Sequence, residues 1–167
     1  PIHDPTGQAN RTQSEQTARE QSVPNGSKSA DEVADAYADV ADELARWRQL
    51  DQLVAGRYRR DHFRHASGRI LDVACGTGRN FQYLPSASEV VGIDISDEML
   101  THARSELDRL DVEGTVQTMD AQAIDFPDDS FDTVISSFST CTFPDPMAAL
   151  HEMERVCTSD GEILLLE

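Results

Sequence analysis

Two glycines one residue apart, Gly76 and Gly78, follow an apolar, β-branched run in the stretch "ILDVACGTGRNFQYL" (70–84). Lacking a Cβ, they let the backbone come close to a ligand, and a helix opening behind them would offer unpaired N–H groups. A carboxylate stands 22 positions beyond Asp72: Asp94, within "VVGIDIS" (90–96), is expected to end the second strand, where it can accept hydrogen bonds from both hydroxyls of a ribose. A third element, "MDAQAIDFPDDSFDTVISS", puts Asp120 ahead of an acidic, proline-bearing loop. Its carboxylate can accept from an adenine amino group or stand as a solvated loop side chain.

The glycine turn differs from a dinucleotide fingerprint in one respect. Gly-x-Gly-x-x-Gly uses its later glycines to admit a pyrophosphate and to pack the helix closely, and here Arg79, Asn80 and Phe81 follow Gly78 instead. A ligand without a pyrophosphate does not need the third glycine. A tight strand-to-helix turn with no ligand at all could use the same two residues.

The elements that must position these residues alternate. Apolar, β-rich runs lie at 69–74, 89–95, 114–119, 131–137 and 161–166, and near-continuous runs of this kind mark strands covered on both faces. Between them, Met99, Leu100, Ala103, Leu107 and Leu110 form one helical stripe behind Ser96 as N-cap. A second helix begins at Asp145-Pro146 and carries Met147, Leu150, Met153 and Val156 up to a turn at "TSDG". Such alternation predicts right-handed βαβ units in a doubly wound α/β sheet, with ligands beyond the carboxyl ends of its parallel strands.

Ahead of the sheet, Val33, Tyr37, Val40, Leu44 and Trp47 recur at helical spacing, continued by Leu50, Leu53, Val54, Tyr58 and Phe63. Two helices, or one bent helix, are expected over 30–65. Residues 1–28 are rich in Gln, Ser, Thr, Asn and Pro and carry only isolated apolar side chains, so a disordered tail is expected there.

Taken together, "YADVADEL", "ILDVACGTGRN", "VVGIDISDEML", "MDAQAIDFPDDSFDTVISSFSTCTFPDP" and "ALHEMERVCTSDGEILLLE" resemble the class I S-adenosylmethionine-dependent methyltransferases. The likeness is greatest to the small-molecule branch that includes quinone-biosynthesis C-methyltransferases and phospholipid-headgroup N-methyltransferases. It covers Tyr37 to Glu167, and it is specific for the cofactor, S-adenosylmethionine, more than for the acceptor. The resemblance implies a Rossmann-like sheet in strand order 3-2-1-4-5. With the tail at 1–28, the expected division is a helical cap at 29–66 and the cofactor-binding domain at 67–167. The resemblance also implies Asp72, Gly76 and Gly78 around the methionyl part, with Ala74 of the same turn among the cofactor-binding residues. Asp94 would hold the ribose, Ile95 would pack on adenine, Asp120 with Ala121 would meet the adenine edge, Ser137 would line the sulfonium and Tyr37 would close over the cofactor.

Methyl transfer from a sulfonium needs alignment and water exclusion more than catalytic side chains, and no catalytic residue is assigned. Ser139, Thr140, Cys141 and Thr142 stand nearest the expected acceptor, with Cys141 read as a packing residue. The family's sheet has two further strands beyond the fifth, which are missing here, so "EILLLE" is expected at an exposed edge that pairs with a second copy or limits solubility at low salt. "CTSDGE" replaces the basic, proline-containing and glycine-rich turn of the family while Asp160-Gly161 still turns the chain. The alternatives carried are a non-catalytic module that binds S-adenosylmethionine or a partner, and a nucleotide-binding NAD(P) oxidoreductase.

Charge and cysteine content narrow the partners. Of 167 residues, 31 are acidic and 14 basic, giving a formal charge of -17, with Lys28 the one lysine. Such a surface disfavours nucleic acid and suits a salt-rich interior that screens self-repulsion. Three cysteines without a Cys-x-x-Cys fit a reducing cytoplasm, and no apolar run reaches the roughly 20 residues that span a bilayer. His62, His65 and His151 are read as surface residues, with no third ligand to make a metal site.

Overall fold

The computed structural model describes residues 29–38, 40–41, 55–86 and 88–167. The tail at 1–28 and the helical positions Leu44, Trp47, Leu50, Leu53 and Val54 lie outside the described residues. Helix α1 (Ala30–Ala38) starts with a reciprocal cap. The Ser29 hydroxyl accepts from the Glu32 N–H at 3.2 Å, while Glu32 accepts from the Ser29 N–H at 2.8 Å. Helix α2 (Gly56–Phe63) follows, then strand β1 (Arg69–Val73).

Five strands form one sheet. After β1 come β2 (Glu89–Asp94), β3 (Gly114–Thr118), β4 (Phe131–Ser137) and β5 (Cys157–Leu166), in the order 3-2-1-4-5 with all neighbours parallel. Helix α3 (Asp97–Leu110) links β2 to β3, and helix α4 (Pro146–Val156) links β4 to β5. Both start as their sequences require: the Ser96 hydroxyl accepts from Met99 N–H, and Asp145 accepts from Met147 and Ala148 N–H ahead of Pro146.

Period-two alternation divides the central strands between two cores. Leu71, Val73, Val91, Ile93 and Val134 pack on Ala149, Met153 and Val156 of α4. On the opposite face Val90 meets Leu100, Ala103 and Leu107 of α3, and Ile70 with Ile135 meets Phe63 of α2. Each large apolar side chain so buried contributes on the order of 2 kcal/mol. Asp72, two residues from Ile70, falls on the α2 side and is fully buried.

Three expectations are corrected. The central strands are covered on both faces, but β3 and β5, at the two sheet edges, are largely half-buried or exposed. No α-helix follows the glycine turn: successive i→i+3 bonds lead only to a 3-10 turn at Phe81–Tyr83. Six residues separate Gly78 from Pro85, and Leu84 is extended with ψ 150°, as the residue before a proline prefers. Finally, "TSDG" is not a separate turn. Between the pairs Phe131↔Cys157 and Thr133↔Glu162 the fifth strand advances more residues than the fourth, and the excess forms a bulge within β5. Among the described residues no helix is long and apolar enough to cross a membrane.

Candidate active site

The carboxyl ends of β1, β2 and β4 and the loop after β3 converge on a cavity of about 360 Å³, closed on one side by α1. At the end of β1 the backbone leaves the strand through Ala74 at φ 55° and Gly76 at φ 55°, while the Cys75 N–H bonds back to the Ile93 carbonyl at 2.9 Å. A left-handed alanine is strained, and strain of this kind collects where the surroundings hold a site in shape. Phe138, at φ 54° after β4, is a second such residue on the same cavity.

The two glycines do different things. A Cβ on Gly76 would meet nothing within 4 Å, so this residue leaves open space beside the cavity. A Cβ on Gly78 would lie 2.6 Å from the Phe81 ring and 3.2 Å from the Ala103 backbone. Gly78 therefore serves close packing of the turn against α3, and it is not on the cavity wall.

Asp94 ends β2 with both carboxylate oxygens fixed by backbone donors: Gly76 N–H at 2.8 Å and Ser96 N–H at 3.0 Å. Each oxygen keeps a further lone pair for a hydroxyl in the cavity. Burial raises the proton affinity of Asp94, and these N–H groups pull it back. The Gly76 bond also ties the glycine turn to the end of β2, so that the open space and the acceptor pair are held as one unit. Ile95, Ala74 and Met99 continue this wall.

Asp120 and Ala121 form the next part of the wall. Asp120 accepts from the Gln122 backbone N–H at 2.9 Å and from its side-chain amide at 3.1 Å, and Gln122 accepts from Asp145 N–H at 2.8 Å. The loop behind them is gripped by Arg155 of α4, which donates to the carbonyls of Ile124 (2.7 Å) and Phe126 (2.8 Å) and to Glu152 and Asp128. Glu152 in turn accepts from Ile124 N–H at 2.8 Å. Arg155 holds Glu152 below the ordinary carboxylate range.

Asp72 does not reach the cavity. Its two oxygens accept from the Asn80 amide at 3.0 and 3.1 Å, and the Asn80 carbonyl accepts from the Ser137 hydroxyl at 2.9 Å. Asn80 and Ser137 line the cavity; Asp72 is sealed behind them. Burial pushes the Asp72 carboxyl up to about 7 against the pull of Asn80 and the Arg59 charge. Neighbouring Ser136 donates to the Val73 carbonyl at 2.8 Å and touches the Ser139 hydroxyl.

Tyr37 of α1 lines the cavity in hydrogen-bond contact with Thr142, and burial raises its phenol. The expected residues Tyr37, Ala74, Gly76, Asp94, Ile95, Asp120, Ala121 and Ser137 thus share one cavity, whereas Asp72 and Gly78 stand behind its wall. Sequence reasoning missed Asn80 and Arg59. Asn80 gave no signal beyond falling in the glycine turn, and Arg59 sits in the charged run "GRYRRDHFRH", which reads as a solvated helix face. In the fold Arg59 is 4% exposed, lines the cavity and lies 5.0 Å from the Phe138 ring centroid. Cys141 is exposed and does not pack as expected; Cys75 is the buried cysteine of the turn. His62, His65 and His151 are exposed, and no metal-holding cluster occurs among the described residues.

Residues 71–165 match a family described as "Methyltransferase domain". The chain is 37% identical over 107 residues to a phosphatidylethanolamine N-methyltransferase of Cereibacter sphaeroides, covering 63% of this chain and 53% of the relative. It is also 37% identical over 114 residues to a ubiquinone/menaquinone biosynthesis C-methyltransferase of Citrifermentans bemidjiense, covering 62% and 46%. Among solved structures, the YcgJ protein of Bacillus subtilis aligns with a TM-score of 0.59 at 31% identity over 66% of this chain and 48% of that one. A SAM-dependent methyltransferase from Aquifex aeolicus aligns with a TM-score of 0.61 at 21% identity over 72% and 67%, a likeness of fold. The chain spans about half the length of these two curated relatives.

Proposed function

The chain belongs to the methyltransferase domain family, whose cofactor is S-adenosylmethionine, and from that premise we propose that its cavity binds this cofactor and directs its methyl group to a small-molecule or lipid-like acceptor by in-line displacement. The observation that carries the reading is Asp94: a carboxylate at the end of β2, both oxygens fixed by N–H groups, facing a glycine turn with open space beside it. A ribose diol fits that acceptor pair.

The cofactor supplies the activated methyl group. The chain's own residues then have four tasks. Asp94 orients the ribose, Ile95 and Met99 pack the adenine, Asp120 with Ala121 meets its edge, and Tyr37 closes the cavity against water. Burial raises the Tyr37 phenol, and its contact with Thr142 holds it over the cavity. An amine acceptor need only arrive neutral, whereas a carbon or oxygen acceptor must also lose a proton.

The apolar side chains of Phe138, Phe143 and Pro144 on the same cavity support an acceptor with an apolar body, as do relatives named for a phospholipid headgroup and a quinone. Titration calorimetry with S-adenosylhomocysteine tests the cofactor reading: a saturable, one-site heat is expected, and a flat titration refutes it. Transfer of labelled methyl to amine-headgroup phospholipids or to quinols tests the acceptor. Among the described residues β5 is an edge strand, with Ile163 38% exposed, and that edge supports association with a second copy. A strict monomer by size exclusion at both low and high salt refutes that part. The charge of -17 supports work in a salt-rich cytoplasm, and titration with potassium chloride should raise stability.

A further inference from the structure

Two walls of the cavity come from different parts of the chain. One is Asp120 with Ala121, in the loop after β3; the other is Phe143 with Pro144, in the segment between β4 and α4. Half-buried Gln122 joins them from behind without itself lining the cavity. Its amide can be held in one sense only. The Asp145 backbone N–H donates, so the Gln122 atom 2.8 Å away is the oxygen. The amide nitrogen is then left for Asp120, whose two oxygens accept from it at 3.1 and 3.3 Å, and the Gln122 backbone N–H adds a third donor at 2.9 Å.

The Asp145 end is firmly set as well. Its carboxylate caps α4, accepting from the Met147 and Ala148 N–H groups at 3.1 Å each. Pro144 and Pro146 flank it and stiffen the backbone on both sides. A shift of Asp145 therefore carries Pro144 and Phe143 with it. Arg155 grips the same loop from the other end of α4, at the Ile124 and Phe126 carbonyls, and does not bond to Asp120 or Asp145.

We infer that Gln122 is a positioning residue for the acceptor wall: it links Asp120 to Phe143 and Pro144, so that a nucleoside bound against Asp120 sets the surface the acceptor meets. The inference rests on the cofactor reading above. A donor bound to Asp120 shares its carboxylate with the Gln122 amide, and one amide carries the position of that carboxylate to the start of α4. Events at the cavity are thereby ordered, the acceptor meeting a finished wall only once the cofactor is in place. Methionine at position 122 would fill the space and join neither wall, whereas glutamate would accept from Asp145 but face Asp120 as a like charge.

The test follows amide exchange by mass spectrometry, with and without saturating adenosine, which carries the ribose and adenine but no methionyl part. In the wild type, adenosine should slow exchange about fivefold at 121–124 and also at 143–148, the change expected when one hydrogen bond is made firm. In Gln122→Met the slowing at 121–124 should remain and that at 143–148 should vanish, and Gln122→Glu should behave likewise. Arg155→Met, which loosens the loop but leaves the bridge, should retain the adenosine effect at 143–148. The quantity read is the change on adding ligand, so a variant that is merely less stable is told apart. An effect at 143–148 that survives Gln122→Met, that is lost equally in Arg155→Met, or that is absent from a wild type responding to S-adenosylhomocysteine overturns the inference. A wild type in which neither adenosine nor S-adenosylhomocysteine slows exchange along the cavity refutes the cofactor reading instead.

Discussion

Replacing Asp72 with asparagine changes stability in a way that depends on pH, and its sign follows from burial. In the folded chain the carboxyl is raised from an ordinary value of 3.8 to about 7, the first cause being loss of solvation. The native state therefore holds this proton more tightly than the unfolded chain does. Between pH 4 and 7 stability falls as pH rises, because the unfolded state gives up the proton first. At about 1.36 kcal/mol per pH unit, the full cost above pH 7 is about 4 kcal/mol at most. Asparagine avoids that cost but presents one donor to the Asn80 amide, losing one of two hydrogen bonds, a pH-independent penalty of about 1 kcal/mol. Urea unfolding of both proteins from pH 4.5 to 8.5 measures the difference, in which the other carboxylates cancel. The variant should be the less stable at pH 4.5, gain steadily relative to wild type, and level off above pH 8. A difference that is flat across this range, or that runs the other way, refutes the assignment of a burial-raised Asp72.

Other outcomes follow from the same geometry. Gly76→Ala should cost about 1 kcal/mol of stability for its left-handed backbone yet lower affinity for S-adenosylhomocysteine at least tenfold, whereas Gly78→Ala, driven into Phe81 and Ala103, should unfold the chain at much lower urea; calorimetry and melts separate the two. Asp94→Asn should weaken the same ligand by about tenfold to a hundredfold, the loss of charged acceptance from two hydroxyls, and should also cost about 1 kcal/mol of stability, because an amide oxygen can accept from only one of the Gly76 and Ser96 N–H groups. Arg155→Met removes donors from the Ile124 and Phe126 carbonyls and should cost about 2 kcal/mol, while amide exchange quickens across 120–128 before it does elsewhere.

What the residues disclosed and what they withheld divides along physical lines. The three central strands were legible because burial on both faces demands near-continuous apolar runs, and both capped helices because Ser96 and Asp145 satisfy first-turn donors. Asp94 stood out because Ser96 already caps the following helix, but its bond to the Gly76 N–H, which ties the turn to β2, left no trace in the sequence. The glycine turn misled twice. A helix was expected behind it, but Pro85 comes too soon, and Gly78 read as a ligand residue although its missing side chain makes room for Phe81. Asp72 stood next to the turn in sequence, and only the alternation it shares with Ile70 shows that it faces α2. Long-range partnership left the weakest trace: nothing in "GRYRRDHFRH" distinguishes Arg59, which becomes a wall of the cavity only once α2 crosses the sheet.

The order of the strands also sets a timetable for synthesis. The hydrogen bond from Ser136 to Val73 joins residues 63 positions apart, so at translation rates of about 5–20 residues per second β1 emerges roughly 3–13 s before β4 can lie beside it. In that interval the nascent chain carries the glycine turn and Asp94 but not Ser137, and Asp72 is still open to water and ionised like any other aspartate. A ribosome-bound chain halted ahead of β4 should thus ignore the ligand that the released protein holds, and the last stage of making the pocket coincides with the moment its central acid is shut away.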